Sequence, residues 1–133
     1  GRGTAPANAL RMTVPRQILP GTSYLVTRRC SERRFLLRPS PTTNGIFLFV
    51  LALAARRYGV HVHAFCVLSN HVHLVLTDPH AHLPAFQQYL AAFVARALNA
   101  RLGRREFFWA AGTYSAVVLG SPDDIARAAR PSP

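Results

Sequence analysis

The feature that most constrains the fold is an alternating run near the middle of the chain. Residues 68–77 read Leu-Ser-Asn-His-Val-His-Leu-Val-Leu-Thr, so that apolar and β-branched residues surround a His-x-His. Such a run is typical of a buried or half-buried strand. Because side chains alternate between the two faces of a strand, His71 and His73 project from the same face. Residues 60–67 have a similar character, and with a Ser-Asn turn between the two runs they predict a hairpin.

Strands and helices are predicted on either side of this hairpin. The order is a strand at 23–29, a helix at 42–58, the hairpin at 60–77, a helix at 84–102, a strand at 114–119 and a short helix that begins at Ser121-Pro122. This β-α-β-β-α-β order predicts an α+β fold of the ferredoxin-like, split βαβ type. We expect one antiparallel sheet with both long helices on one face.

The helix faces are predicted from the spacing of apolar residues. For the first helix the expected buried positions are Ile46, Phe49, Val50 and Leu53, with Thr42 or Thr43 as the N-terminal cap and Gly59 at the C-terminal end. For the second helix they are Phe86, Tyr89, Leu90, Phe93, Val94, Ala97 and Leu98.

The charge of the chain favours a nucleic-acid partner. Its 133 residues, the length of one domain, include 16 basic and 5 acidic residues, for a net charge of +11, and every basic residue is arginine. A planar guanidinium group can donate two parallel hydrogen bonds to the oxygens of one phosphate. Two basic clusters are the expected DNA-binding residues: Arg28, Arg29, Arg33 and Arg34, then Arg101, Arg104 and Arg105.

Aromatic residues 107–109 follow the second cluster and could stack on unpaired bases. The alternatives are that the first cluster is a solvated loop and that Trp109 closes the core.

The remaining composition points to a cytoplasmic protein with no membrane partner. Cys30 and Cys66 lack metal-binding spacing and are expected to be free thiols in a reducing compartment. The longest apolar run, residues 46–55, is too short to span a bilayer. Residues 1–14 are expected to be a disordered extension, with the folded domain at residues 15–133 and Met12 as an alternative start.

Several motifs in this order resemble the single-tyrosine HUH transposases, and most closely the REP-associated tyrosine transposases of bacteria. They are Asn70-His71-Val72-His73-Leu74 on the third strand, residues 20–29, residues 35–39, the continuation to Asp78-Pro79, Phe108-Trp109 and Tyr114-Ser115. The resemblance covers roughly residues 15–124.

The resemblance implies a metal-dependent activity on DNA. His71 and His73 would bind Mg²⁺ or Mn²⁺, which polarises a phosphodiester of single-stranded DNA at a hairpin. A tyrosine hydroxyl would attack phosphorus and form a phosphotyrosine, which a DNA 3′-hydroxyl later reverses. The oligomeric state stays open, with a homodimer as one alternative.

The chain departs from the family pattern in its last helix. The family tyrosine lies there, in a stretch of the type Asp-x-x-x-Tyr-x-x-x-Asn-Pro, together with a further metal ligand. Here the helix continues from Asp123-Asp124-Ile125 into Ala-Arg-Ala-Ala-Arg-Pro. The expectation is a truncated or frameshifted relative that lacks the end of this helix. Tyr114 is a weak remaining candidate for the nucleophile.

Three functions therefore stay open. The first is a transposase-type nuclease and strand transferase. The second is a degraded or domesticated relative that binds structured single-stranded DNA without cutting it. The third is an unrelated metal protein, for which His61 and His63 could complete a four-histidine zinc site across the hairpin.

Overall fold

The computed structural model describes residues 17–31, 36–37, 40–104, 107–110 and 114–130. In chain order the elements are β1 (Thr22–Arg29), α1 (Pro41–Tyr58), β2 (His61–Leu68), β3 (His71–Asp78), α2 (Leu83–Leu102), β4 (Ser115–Leu119) and α3 (Pro122–Ala128). The predicted order of elements is confirmed. The extension predicted at residues 1–14 lies outside the described residues.

The strands form one antiparallel sheet in the order β2-β3-β1-β4. β3 lies between its hairpin partner β2 and the first strand β1, and the register of β1 with β3 runs from Thr22 opposite Asp78 to Arg29 opposite His71. This is the ferredoxin-like arrangement, so the predicted α+β class is confirmed. The central position of β3 places both histidines between two neighbouring strands.

One face of the sheet is buried under α1 and α2. Tyr24 and Val26 of β1 and Leu74 and Leu76 of β3 belong to the same core cluster as the buried side chains of both helices. Because of the two-residue period of a strand, His71, His73 and Thr77 project to the opposite face. We call this opposite side the open face.

The ends of the long helices follow capping rules, with one correction. The hydroxyl of Ser40, and not Thr42 or Thr43, caps α1 by accepting the backbone N–H of Thr43 at 2.9 Å. The helix therefore starts at Pro41, a residue that suits a first turn because it has no N–H to satisfy. Gly59 ends α1 with φ of 67°, as predicted for a left-handed terminal residue.

The predicted buried face of α1 is correct for Val50 and otherwise wrong in its phase. The buried residues are Phe47, Val50, Leu51 and Ala54, whereas Phe49 is 65% exposed. The α2 prediction is correct for Phe86, Leu90, Val94 and Leu98 and wrong for Phe93, which is 39% exposed. None of the helices in the described ranges has the length and hydrophobicity that crossing a bilayer requires.

Candidate functional site

The two histidines of β3 form a close pair on the open face. The rings of His71 and His73 meet edge to face, with 4.8 Å between their centroids. Their Nε2 atoms lie 3.1 Å apart. Both rings therefore direct the same nitrogen at one point, which is what two ligands of a single ion require.

The other nitrogen of each ring is held by a neighbour. Nδ1 of His71 lies 2.8 Å from the amide oxygen of Asn70, and Nδ1 of His73 lies 3.1 Å from the hydroxyl of Thr27. An amide oxygen only accepts hydrogen bonds, so Nδ1 of His71 carries the proton and its Nε2 keeps a lone pair. Metal-binding histidines are commonly oriented by such a bond through the second nitrogen.

The pair fits two adjacent positions around an octahedral ion. Metal–nitrogen distances are about 2.1 Å, and two ligands at right angles are then about 3.0 Å apart, close to the observed 3.1 Å. Within the described ranges, no three His, Cys, Asp or Glu side chains form a metal-binding group. Any further ligands would come from water, from a phosphate or from residues outside those ranges.

The alternative zinc site of four histidines is not formed. His61 lies opposite Thr77, near the far end of β3 from His71, and Nε2 of His63 bonds the Thr77 hydroxyl at 2.7 Å. The hairpin register therefore separates the two His-x-His motifs along the sheet.

The surroundings favour the neutral form of both imidazoles. Partial burial lowers the pKa of His71, and the charge of Arg29 lowers it further. The pKa of His73 is lowered by burial, by His71 and by Arg29. Because neutral imidazole is the form that binds metals, these shifts favour metal binding at neutral pH.

The predicted DNA-binding arginines of β1 divide between the two faces. Arg29 lies opposite His71 and shares the open face with it. Arg28 points to the other side, where its guanidinium lies over the Trp109 ring at 5.8 Å and burial lowers its pKa. Arg33 and Arg34 lie outside the described residues, as does Arg105 of the second cluster.

Backbone pairing brings the second basic and aromatic cluster to the same end of the sheet. Phe108 accepts the N–H of Ser31, and Ala110 donates its N–H to Arg29, each at 2.8 Å. Burial raises the pKa of the Cys30 thiol to about 11, and the nearby positive charge of Arg104 acts in the opposite direction. Arg101 is exposed in the last turn of α2.

The aromatic residues of this cluster have different roles. Nε1 of Trp109 donates to the backbone oxygen of Ala91 at 2.8 Å, and the ring packs against Phe108, which is buried. Phe107 is 86% exposed. Trp109 therefore closes the core, and Phe107 is the ring in this segment that is free to meet a base.

Tyrosines in the described ranges do not reach the histidine pair. Tyr114 is 8% exposed and belongs to the core, and burial raises its pKa. Tyr24 is fully buried, and Tyr58 packs against Tyr89 between the helices. The seven residues of α3 include no tyrosine.

Thr27 and Asn70 were not identified from the sequence as parts of the site. Asn70 had a signal, because it directly precedes His71. Thr27 had none, because its contact with His73 depends on the register between β1 and β3.

No protein-family model and no curated protein matches the chain. Among solved structures, it is similar to a REP-associated tyrosine transposase bound to a REP hairpin, with a TM-score of 0.68 and 14% identity over 88% of this chain and 67% of that one. It is also similar to a protein of Deinococcus radiodurans R1 described as a candidate transposase, with a TM-score of 0.60 and 20% identity over 87% of this chain and 92% of that one. The chain therefore has the fold of the REP-associated tyrosine transposases.

Proposed function

We propose that this chain is a transposase-type DNA-binding protein that holds hairpin-forming single-stranded DNA at the His71/His73 end of its open face. The observation that carries this proposal is the convergence at one end of the sheet. Segments far apart in sequence meet there: Arg29 and Ser31 pair with the backbone of residues 108–110, and Cys30 donates its N–H to the carbonyl of Asn70, directly before His71. The similar transposase structure holds a REP hairpin, which supports the same class of ligand here.

We further propose that His71 and His73 hold Mg²⁺ or Mn²⁺ through their Nε2 atoms. The convergence of these atoms and the anchored Nδ1 atoms support this assignment. When bound, the ion would polarise a phosphate oxygen of the DNA. Arg29, whose charge acts on both imidazoles, would attract and orient the same phosphate.

The role proposed for residues 1–133 is to bind and position DNA without covalent attachment. A phosphotyrosine requires a hydroxyl within reach of the phosphate. Tyr24 and Tyr114 are buried in the core on the helix side of the sheet, and α3 carries no tyrosine. The fold similarity to transposases favours strand cleavage as the second candidate function.

Binding of a fluorescein-labelled DNA hairpin, followed by anisotropy over a range of salt concentrations, tests the proposed DNA site. Each phosphate neutralised on a single strand contributes about −0.7 to the slope of log K against log salt. Replacing Arg29 by alanine should weaken binding and make the slope shallower by about that amount.

Arg127 provides a matched control, since it is exposed on α3 and lies 3.6 Å from Asp124. Arg127→Ala should leave the slope unchanged. Binding that does not respond to salt, or equal effects of the two substitutions, would rule out the proposed site.

A further inference from the structure

The outer side of the helix pair contains an apolar groove that the proposed DNA site does not use. It lies between α1 and α2 and has a volume of about 630 Å³. Its walls include Ile46, Phe49 and Leu53 of α1 and Tyr89 and Phe93 of α2. These are the residues whose spacing predicted a buried face, so the chain has more apolar helix surface than its own core covers.

Several large apolar side chains in the walls of this groove are strongly exposed to solvent. Phe49 is 65% exposed, Leu53 41% and Phe93 39%. Gly45 adds to the opening, because a Cβ atom at that position would meet nothing within 4 Å. A concave apolar surface of this size is typical of a binding site for apolar side chains.

Arginines border the groove. The guanidinium of Arg96 lies 4.9 Å from the centre of the Phe93 ring. That of Arg57 lies 5.6 Å from the Tyr89 ring. The helices α1 and α2 contain arginines at 56, 57, 96 and 101 and no aspartate or glutamate.

This charge pattern decides between the occupants of the groove. A second copy of the chain would bring its own arginines against these and would add another net charge of +11. A nucleic-acid strand would place phosphates in the groove, whose walls are almost entirely apolar. A segment with apolar side chains for the walls and carboxylates for the borders satisfies both features.

We infer that the α1/α2 groove is a docking site for an amphipathic helical segment of a partner protein, with acidic residues beside its apolar stripe. Apolar residues at helical spacing would enter between Phe49 and Phe93, and carboxylates would meet Arg57 and Arg96. This inference does not depend on the proposed DNA site, which lies at the other side of the sheet.

Labelled 16-residue model peptides provide the probe. One has leucine and phenylalanine at positions i, i+3, i+4 and i+7 with glutamate elsewhere, a second replaces glutamate by lysine, and a third scrambles the acidic peptide. The acidic amphipathic peptide should bind the full chain at least tenfold more tightly than the other two. Equal binding of all three would overturn the inference.

Substitutions at four surface positions locate the binding. Phe49→Ser should weaken binding of the acidic peptide about tenfold. Leu48→Ser is the matched control, because Leu48 is 51% exposed on the same helix and does not line the groove. Arg57→Ala and Arg96→Ala together should weaken peptide binding and reduce its salt dependence. If the substitutions at positions 48 and 49 weaken peptide binding equally, or if replacing the two arginines does not change it, the assignment is contradicted.

Other occupants give different results with the same proteins. If sedimentation shows a dimer that Phe49→Ser dissociates, the groove binds a second copy and the inference is wrong. If Phe49→Ser weakens DNA-hairpin binding, or weakens binding to vesicles that contain phosphatidylserine, the ligand is DNA or lipid and the inference is also wrong. In the expected outcome, hairpin binding by Phe49→Ser equals that of the parent chain.

Discussion

Two side chains outside the His-x-His determine what the histidine pair can do. Asn70 and Thr27 hold the Nδ1 atoms, so that the two Nε2 atoms converge. Because the Thr27 hydroxyl can donate or accept, Nε2 of His73 can either donate a hydrogen bond to Nε2 of His71 or, like that atom, offer its lone pair to a cation. The arrangement is therefore suited to binding a cation, provided that the imidazoles are neutral.

The lowered pKa values of His71 and His73 predict how folding stability depends on pH without metal. Histidine in the unfolded chain has a pKa of about 6.5, and in the folded chain both values are lower. Between the two values the unfolded chain binds more protons, so the free energy of unfolding should fall as pH drops below about 6.5. The loss should level off once the pH is below the folded pKa values.

Urea unfolding in EDTA at several pH values measures this effect. A His71→Gln/His73→Gln variant should lose less stability than the parent chain between pH 7 and pH 5. An identical decline in both proteins would show that other groups cause the pH dependence.

The alternation of side chains along β1 and β3 shows what could be predicted from single residues. Strand alternation was sufficient to place His71 and His73 together. The same rule places Arg28 and Arg29 on opposite faces, so of these two arginines only Arg29 shares the open face with the histidines. The contact between Thr27 and His73 required the strand register, which no local pattern encodes.

The start of α2 depends on a carboxylate from the end of β3. Asp78 is fully buried and accepts the backbone N–H groups of His82 and Leu83 at 3.0 and 2.8 Å. These two donors have no partner within the helix because they belong to its first turn. Asp78 therefore joins the sheet to α2 where the chain enters the helix.

Replacing Asp78 by alanine should destabilise the protein by about 2–4 kcal/mol, since it leaves one buried and one partly buried backbone donor unpaired. Asp124→Ala is the control, because that carboxylate is exposed on α3 and its ion pair with Arg127 should contribute less than about 1 kcal/mol. Chemical denaturation of both variants gives the comparison. Similar losses would mean that Asp78 does not act as the cap.

The wrong phase of α1 has a physical cause. Residues 46–55 are apolar on every side of the helix, so periodicity cannot choose which face meets the sheet. Tertiary packing selects Phe47, Val50, Leu51 and Ala54, and the rejected face becomes a wall of the groove. The order of the elements, the C-terminal end of α1 and the start of α3 were easier to predict, because Gly59 and Ser121-Pro122 are local signals.

The molecule as a whole separates its tyrosines from its histidine pair. The core or the helix side of the sheet contains all four tyrosines of the sequence, Tyr24, Tyr58, Tyr89 and Tyr114. We therefore expect the polypeptide of residues 1–133 to form no covalent adduct with labelled hairpin DNA in Mn²⁺, as judged on a denaturing gel. A labelled band at the mass of the protein would contradict this, and its loss in Tyr114→Phe would identify that residue as the nucleophile.

The most direct test of the account is the effect of Mn²⁺ on hairpin binding. Anisotropy titrations in Mn²⁺ and in EDTA are compared for the parent chain and for a His71→Ala/His73→Ala variant at constant ionic strength. If the pair joins metal and phosphate, Mn²⁺ should tighten hairpin binding by the parent chain about tenfold or more and leave the variant unchanged. Equal affinity of the parent chain in Mn²⁺ and EDTA, or an equal gain in the variant, would contradict a metal-dependent DNA site at His71 and His73.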